Sequence, residues 1–271
     1  YLARKIYETY GVTEHLNENF ESAIELMLKL AKQEQQHDAN SYLFKRENAP
    51  ENDYLSHDGK GAPIGYTGMV FSAFRPSDDA CKYGYLVPAN LFFASELRQL
   101  PSHVAHPTAR LIAGDIEEGI NRYALKDGVL AYEVDGLGNY ELIDDANTPS
   151  LLSLPFLDAM SSEDGLYQRT RSMVLSEANP YFYQGKRARG IGSAHTPEGH
   201  IWPIALAMQA LTSDDKDLQL QTLTILEETD AGTGNMHESF HVDDPRKFTR
   251  EWFSWSDMTY VDLLLTAYSL S

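Results

Sequence analysis

Two adjacent carboxylates stand beside a guanidinium and a hydroxyl in the run Arg75-Pro76-Ser77-Asp78-Asp79. A guanidinium can hold one neighbouring carboxylate in its ionised form, whereas burial favours the protonated form of another. Two carboxyl groups that titrate apart are what general acid–base catalysis requires. The run therefore predicts an acid–base site. The alternative is a loop in which Ser77 or Asp78 only caps the next helix.

A second acidic run, residues 144–149, carries Asp144, Asp145 and Asn147 directly before Pro149. One of these side chains is expected to cap a helix whose first turn contains the proline. The remaining carboxylate and amide can bind the hydroxyl groups of a sugar. Two interpretations of this run remain: its side chains only cap a helix, or they also bind a sugar.

A glycine-containing run at residues 190–197 includes His195 and is followed by Trp202. Glycines let the backbone approach a ligand closely, and His195 and Trp202 can form the wall of a sugar site. The alternative is a tight turn followed by a core tryptophan. A dinucleotide site is rejected because no predicted strand precedes the glycines.

Residues 237–241 match the His-Glu-x-x-His signature of zinc proteases. That metal site needs a continuous helix, so that both histidines share one face. Glycines just upstream and an Asp-Asp-Pro run just downstream leave room for roughly one helical turn, so no metal is predicted. A carboxylate in a histidine-lined aromatic loop can instead act as a general base. Glu238 is the candidate base and His237 a candidate binding residue, with a purely structural loop as the alternative.

Two tryptophans, Trp252 and Trp255, are three residues apart in a segment predicted to be helical. At this spacing they are expected to share a helix face. Both suit a packed core, and one of them can equally form the floor of a sugar subsite.

The net charge of the 271-residue chain is −18, from 22 Lys and Arg against 40 Asp and Glu. This excess argues against nucleic-acid phosphates and anionic membranes as partners and is compatible with a neutral ligand such as a sugar. No apolar run reaches the roughly 18 residues of a membrane-spanning helix. The single cysteine, Cys81, excludes an intrachain disulfide and favours a reducing compartment.

The framework that positions these groups is predicted to be helical from its apolar periodicity. Predicted helices cover residues 20–30, 88–100, 107–125, 163–175, 202–211, 214–228 and 250–270, and another opens at Thr148-Pro149. Residues 129–134 and 140–143 predict a small β-hairpin. Long irregular stretches at residues 38–85, 176–201 and 230–249 carry many of the candidate groups, and such stretches are usually functional. No linker divides the chain, so residues 1–271 are expected to form a single domain.

Taken together, these motifs resemble glycoside hydrolase family 125, the exo-α-1,6-mannosidases. The similar stretches are residues 66–69, 74–81, 144–147, 149–152, 190–193, 195–197, 201–204, 208–213 and 236–240. Their order and number make the resemblance specific, and it spans residues 58–255. The chain departs from the family at Phe71-Ser72-Ala73, where the family usually has Trp-Ser-Gly, and at Ala194, where it often has proline.

The resemblance implies an all-α fold, an (α/α)6 barrel with its site at one end of the inner ring of helices and a small β-hairpin insertion. It also implies hydrolysis with inversion at the anomeric carbon, without a metal or other cofactor, on a mannose-containing oligosaccharide. Glu238 would be the general base and either Asp78 or Asp79 the general acid. The residues expected to bind the terminal mannose are Arg75, Ser77, Asp144, Asp145, Asn147, His195, Trp202, His237 and Trp255.

The family's N-terminal tryptophan-leucine-arginine-aspartate-serine motif has no counterpart in this sequence. We therefore expect the chain to be the C-terminal portion of the family domain, with a helical ring that is incomplete at the N-terminus. An incomplete ring would expose apolar helix faces. The family and the single cysteine together favour a cytoplasmic location. No oligomeric state is predicted.

Three other function classes remain as alternatives. A sugar epimerase, or an α-glycosidase of different specificity, can be built on the same helical barrel. A carbohydrate-binding or scaffold protein without catalysis would bind a sugar but not convert it. A zinc protease is the most distant of the three.

Overall fold

The computed structural model describes residues 1–39, 43–48, 50, 53–101, 104 and 106–270. Parts of the predicted irregular stretch 38–85, namely residues 40–42, 49 and 51–52, lie outside the described residues. In the described part the helices are α1 Leu2–Tyr10, α2 Glu18–Glu34, α3 Ser56–Gly59, α4 Val87–Arg98, α5 Pro107–Tyr123, α6 Gly165–Val174, α7 Pro203–Leu211, α8 Lys216–Glu228 and α9 Ser254–Ala267. No helix among them is long and apolar enough to cross a membrane.

Ten short strands accompany these helices in the described part of the chain. They are β1 Tyr85–Leu86, β2 Leu125–Lys126, β3 Val129–Leu130, β4 Glu133–Val134, β5 Tyr140–Glu141, β6 Phe182–Gln184, β7 Arg189–Ile191, β8 His200–Ile201, β9 Ser239–His241 and β10 Asp244–Thr249. The fold is thus mostly helical, as expected, with more small antiparallel sheets than the one predicted hairpin. The sheets run in the orders β1-β4-β5, β10-β9-β8, β2-β3 and β6-β7.

The helix starts follow from local chemistry. Four helices are preceded by side chains that accept hydrogen bonds from the first free backbone N–H groups: Asn17, His106, Asp164 and Asp215. Three helices, including the one capped by His106, carry a proline in the first turn, where no N–H donor is needed: Pro88, Pro107 and Pro203. The sequence signals for α2, α4, α5, α6, α7 and α8 therefore predicted real helices.

Helix α7 forms the centre of the packing and contacts both α8 and α9, while α4 packs on α5. The apolar residues of α7 point in every direction, as expected of a helix buried on all sides. Ile204 and Met208 join a large core built from residues 28–208. Leu206 and Ala210 join a smaller core that includes Phe240. One helix thus ties the sheet β8-β9-β10 to the rest of the molecule.

The predicted hairpin is present at residues 133–134 and 140–141, because β4 and β5 pair with Val134 opposite Tyr140. Residues 129–130, the start of its predicted first strand, pair with β2 instead. The structure adds β1 to the edge of the hairpin, with Tyr85 opposite Val134. The sheet of β8, β9 and β10 was not predicted, and it falls in the stretches expected to be irregular. Its short strands mix polar and apolar residues, so no run of strict alternation marked them.

The helix predicted to open at Thr148-Pro149 is wrong, because residues 150–160 form successive turns. Ser150 and Ser153 exchange hydrogen bonds across one of these turns, and Pro155 has no N–H to offer a helix. Leu151, Leu152 and Leu154 are still buried. The apolar pattern correctly marked a core segment but not its backbone conformation.

The closing helix begins at Ser254 and not at residue 250. Arg250 has a left-handed backbone with φ 42°, which a helix cannot continue. Trp252 therefore precedes the helix and is 65% exposed. The expectation that Trp252 and Trp255 share a helix face is wrong for this reason.

An apolar surface faces outward on α1, α2 and α5. Met27 and Leu30 are 51% and 56% exposed, and Leu111 is 63% exposed. Together with Tyr1, Phe20 and Phe92, residues of this surface line a groove of about 450 Å³.

Candidate active site

The run of residues 74–80 folds into a tight loop that separates its two aspartates. An antiparallel bridge between Phe74 and Ala80 closes the loop. Asp78 lies at the tip, is exposed and has φ 75°. Asp79 is buried, and its Oδ2 accepts a 2.5 Å hydrogen bond from the hydroxyl of Ser77. Of the two candidate acids, Asp79 is therefore the one held inside the protein.

The third motif reaches the first through a histidine. Nδ1 of His195 lies 3.5 Å from Oδ2 of Asp79. The backbone N–H of His195 donates to Oγ of Ser193, and that hydroxyl donates to Oδ2 of Asp145 at 2.6 Å. Segments from three separate parts of the sequence thus meet beside Asp79. We call this cluster, residues 74–80, 145–147 and 193–196, the Asp79 side.

Asp145 and Asn147 form the buried floor of the Asp79 side. The backbone N–H and the Nδ2 group of Asn147 both donate to Oδ1 of Asp145, at 3.0 and 2.7 Å. Burial raises the pKa of Asp145, while the hydrogen bonds from Ser193 and Asn147 oppose the rise. Both oxygens of Asp145 are thus engaged inside the protein, and its part in sugar binding stays a prediction.

Asp144 lies next to this floor but acts on the backbone. Its two oxygens accept from the N–H groups of Leu151 and Leu152, at 2.8 and 2.9 Å. Burial raises the pKa of Asp144 to about 8, although these two hydrogen bonds oppose the change. The geometry of Asp144 favours the capping interpretation over sugar binding. The segment that Asp144 caps is a turn and not the expected helix.

Arg75 is buried and does not pair with Asp78 or Asp79 as the sequence suggested. Its Nε donates to Glu133 at 2.6 Å and its Nη2 to Glu141 at 3.1 Å. Burial alone would lower the pKa of Arg75, but the charge and hydrogen bond of Glu133 outweigh it and the pKa is raised. Arg75 thus ties the loop to the β4–β5 pair.

Sequence reasoning missed both partners of Arg75. Glu133 and Glu141 are opposite each other in the β4–β5 pair. The other oxygen of Glu133 accepts from the backbone N–H groups of Lys82 and Tyr83, at 2.7 and 3.1 Å. Facing glutamates at matching positions of a predicted hairpin are the signal that could have identified them.

Residues 237–241 do not form a zinc-protease helix, because Ser239–His241 is strand β9. Nδ1 of His237 faces the carbonyl oxygen of Glu251 at 2.7 Å, and Nε2 faces that of Asp230 at 3.1 Å. The ring also stacks on Phe248, with centroids 3.9 Å apart. His237 is therefore an anchor between loops, and its part in sugar binding stays a prediction.

Glu238 is buried at the start of the β9–β10 hairpin. Its Oε1 lies 3.2 Å from Nε of Arg250, an arginine whose side chain is 60% exposed. The backbone N–H of Glu238 donates to the carbonyl oxygen of Thr249 at 3.2 Å. Arg250, like Glu133 and Glu141, is a residue that sequence reasoning missed. We call β9, β10 and residues 250–253 the Glu238 side.

An aromatic contact joins the two sides. Nε1 of Trp202 donates to Oγ1 of Thr196 on the Asp79 side, at 2.9 Å. The edge of Trp202 meets Phe253 on the Glu238 side, with centroids 5.9 Å apart. Trp202 is only 2% exposed, which favours the core interpretation over a sugar-binding wall. Trp255 is half-buried and its ring centroid lies 6.3 Å from that of Phe253.

One further carboxylate approaches the Asp79 side. Asp53, Asp79 and His195 offer ligand atoms that all lie within 4.8 Å of one another. Such a donor set resembles that of a transition-metal site. However, Oδ2 of Asp79 already accepts the hydrogen bond of Ser77, so a cation bound to that oxygen would compete with the hydroxyl.

Comparison with known proteins agrees with this architecture. A family model described as metal-independent alpha-mannosidase (GH125) matches residues 1–265. A solved Streptococcus pneumoniae structure, from work on metal-independent alpha mannosidases, is a non-productive substrate complex with alpha-1,6-mannobiose. It is 42% identical with a TM-score of 0.95, over 100% of this chain and 67% of that one.

A curated relative is the Meiotically up-regulated gene 157 protein of Schizosaccharomyces pombe. It is 42% identical over 238 residues, which are 83% of this chain. The matched region is 47% of the relative, so the chain spans about half the length of this curated protein. Because the family model covers nearly all of the sequence, the chain belongs to glycoside hydrolase family 125, the metal-independent α-mannosidases.

Proposed function

We propose that the protein is an exo-acting α-1,6-mannosidase that hydrolyses its substrate with inversion and without a metal. The observation that carries this proposal is the pair of buried carboxylates, Asp79 and Glu238, on the two sides joined by the Trp202–Phe253 contact. The resemblance in sequence and family membership add the substrate class. We also propose that residues 1–271 contribute the C-terminal portion of one (α/α)6 catalytic domain.

In this mechanism Asp79 is the general acid and donates its proton to the glycosidic oxygen as the bond to the anomeric carbon breaks. Glu238 is the general base and takes a proton from a water molecule that attacks the opposite face of the sugar. An α-mannoside would therefore release β-mannose. An inverting pair needs the two carboxyl groups roughly 6.5–9.5 Å apart, to leave room for that water.

The α-1,6 linkage is supported by the similar Streptococcus pneumoniae structure, whose ligand is alpha-1,6-mannobiose. A neutral disaccharide also suits a chain with a net charge of −18. Near the acid, His195 is the predicted binding residue with accessible surface, because its side chain is 26% exposed. We propose that His195 contacts the sugar next to the scissile bond.

Hydrolysis of α-1,6-mannobiose by the full-length protein, followed by proton NMR, tests the proposal. The α-1,2 and α-1,3 isomers serve as linkage controls. We expect β-mannose to be the first product, from the 1,6 isomer alone. Initial α-mannose would mean retention and would overturn the acid–base assignment. Absence of turnover with every isomer would instead favour sugar binding without catalysis, or an epimerase.

A further inference from the structure

We propose that Arg250 is a positioning residue that fixes the orientation of the base Glu238 through an ion pair. This inference rests on the proposed function and extends it to a residue outside the motifs of the sequence. Nε of Arg250 lies 3.2 Å from Oε1 of Glu238. In the described part of the chain, Arg250 is the one cation within ion-pair distance of this carboxylate.

The backbone around Arg250 is arranged so that its side chain returns towards the hairpin. Arg250 follows the last residue of β10 and has φ 42°, a left-handed conformation that residues with a Cβ rarely adopt. The backbone N–H of Glu238 lies within hydrogen-bond distance of the carbonyl oxygens of Thr249 and Arg250, at 3.2 and 3.4 Å. The arginine and the glutamate are therefore coupled through both their main chains and their side chains.

Two further contacts hold the pair in place. The guanidinium carbon of Arg250 lies 5.6 Å from the ring centroid of Phe253, within the range of a cation–π contact. On the other flank, the two ring nitrogens of His237 face the carbonyl oxygens of Glu251 and Asp230. His237 therefore anchors the segments next to Glu238 and Arg250 and does not compete for the carboxylate.

The ion pair with Arg250 engages only one carboxylate oxygen of Glu238, and this suits a general base. The described contacts engage Oε1 of Glu238, and no side chain of the described residues is bonded to Oε2. A general base must present one carboxylate oxygen to the proton that it accepts. Oε2 is then available to a water molecule, while the guanidinium holds the other oxygen in a fixed place.

Substitution to glycine separates this role from a structural one. Gly adopts positive φ without strain, so Arg250→Gly removes the guanidinium while relieving the backbone. Arg250→Lys keeps a positive charge on a different side chain. The matched control is Arg246→Ala, because Arg246 lies on β10, is 83% exposed and pairs only with Asp244 among the described residues.

Steady-state kinetics of the full-length protein on α-1,6-mannobiose and on an aryl α-mannoside give the readout. In Arg250→Gly we expect kcat to fall about 10- to 100-fold, a part of what a general base contributes, with KM within about twofold. Arg250→Lys should recover part of this loss. Millimolar guanidinium chloride should raise the rate of Arg250→Gly but not that of the wild type. Arg246→Ala should keep the wild-type kcat, and circular dichroism should show that Arg250→Gly is folded at the assay temperature.

Three outcomes would overturn the inference. If Arg250→Gly keeps its kcat within about twofold, the arginine does not serve the base. If KM rises while kcat is unchanged, Arg250 binds substrate and does not position Glu238. If the wild type hydrolyses neither mannoside, the proposed function fails and takes this inference with it, whereas the first two outcomes leave the proposed function intact.

Discussion

The two sides of the candidate site hold their carboxylates by different kinds of contact. On the Asp79 side, the carboxyl group meets the hydroxyl of Ser77 and the ring of His195, which come from separate loops. On the Glu238 side, the carboxylate lies on a hairpin and faces the guanidinium of Arg250. A hydroxyl can serve a carboxyl group in either protonation state, whereas a fixed cation stabilises only the ionised one. The difference matches a proton donor on one side and a proton acceptor on the other.

The ion pairs of the two sides also differ in burial. On the Asp79 side, Arg75 and its partner Glu133 are both buried, with side chains 6% and 0% exposed. Arg250 is mostly in solvent and only Glu238 is buried. A buried pair is costly to break because it leaves an uncompensated charge. We therefore expect changes at Glu133 to affect folding and changes at Arg250 to affect catalysis.

The largest expected effect is on the rate of hydrolysis. Variants of Asp79 and Glu238 should differ in how strongly that rate depends on the leaving group of the substrate. Asp79→Asn should slow hydrolysis of α-1,6-mannobiose about 10²- to 10⁴-fold, because the departing alcohol receives no proton. With 2,4-dinitrophenyl α-mannoside, whose leaving group needs no proton, the same variant should keep most of its rate. Glu238→Gln should lose a similar factor on both substrates, because it removes the activation of water. Steady-state rates on the two substrates measure this contrast.

Asp78→Asn is the matched control for the acid, since Asp78 is its exposed neighbour on the same loop. Its rate should stay within about twofold of the wild type, as expected of a surface substitution. A loss in Asp78→Asn as large as that in Asp79→Asn would contradict the choice of acid. An unchanged rate in Glu238→Gln would remove the base.

The next largest effect is on folding and concerns the buried pair. Glu133→Ala leaves the guanidinium of Arg75 without its main partner, so the free energy of unfolding should fall by about 3–5 kcal/mol. Glu117→Ala breaks an exposed pair with Arg98 and should cost less than about 1 kcal/mol. Urea denaturation followed by circular dichroism compares the two variants. Equal losses would mean that burial does not govern the Arg75 pair.

A smaller loss is expected where the loops of the Asp79 side meet. Ser193→Ala removes the hydroxyl that donates to the buried Asp145 and accepts from the N–H of His195. Leaving a buried carboxylate oxygen without that donor should cost about 1–3 kcal/mol. Ser172→Ala, in which an exposed hydroxyl loses its contact with Gln168, serves as the control and should be nearly neutral. Comparable melting temperatures for the two variants would argue against the proposed junction.

The sequence predicted the helices best, because their caps and prolines are local signals. Asn17 and Asp164 accept from N–H groups two and three residues ahead, so a short window of sequence contains the whole interaction. The same locality explains the failure at residues 150–160, where an apolar pattern described burial but not conformation. Leu151 is buried in a turn as completely as it would be in a helix.

The sequence indicated which residues belong to the candidate site, but not which of their side chains contact each other. Arg75 meets Glu133 across 58 positions of sequence, through a sheet of two-residue strands. No periodicity marks strands that short. Arg250 was assigned to a helix because its φ of 42° cannot be read from an arginine. The choice between Asp78 and Asp79 likewise depended on which one the loop turns inward.

The smallest expected effect tests the contact that joins the two sides. Phe253→Leu keeps an apolar side chain but removes the ring that meets Trp202 and Arg250. Losing these aromatic contacts should lower the free energy of unfolding by about 1 kcal/mol. Phe92→Leu removes an edge contact with Tyr1 in the apolar groove and should cost a similar amount. The kcat should fall in Phe253→Leu alone, because Phe253 links the segment carrying Arg250 to Trp202. If both variants keep the wild-type kcat and lose the same free energy of unfolding, the Asp79 side and the Glu238 side are positioned independently. The aromatic contact would then only fill the core.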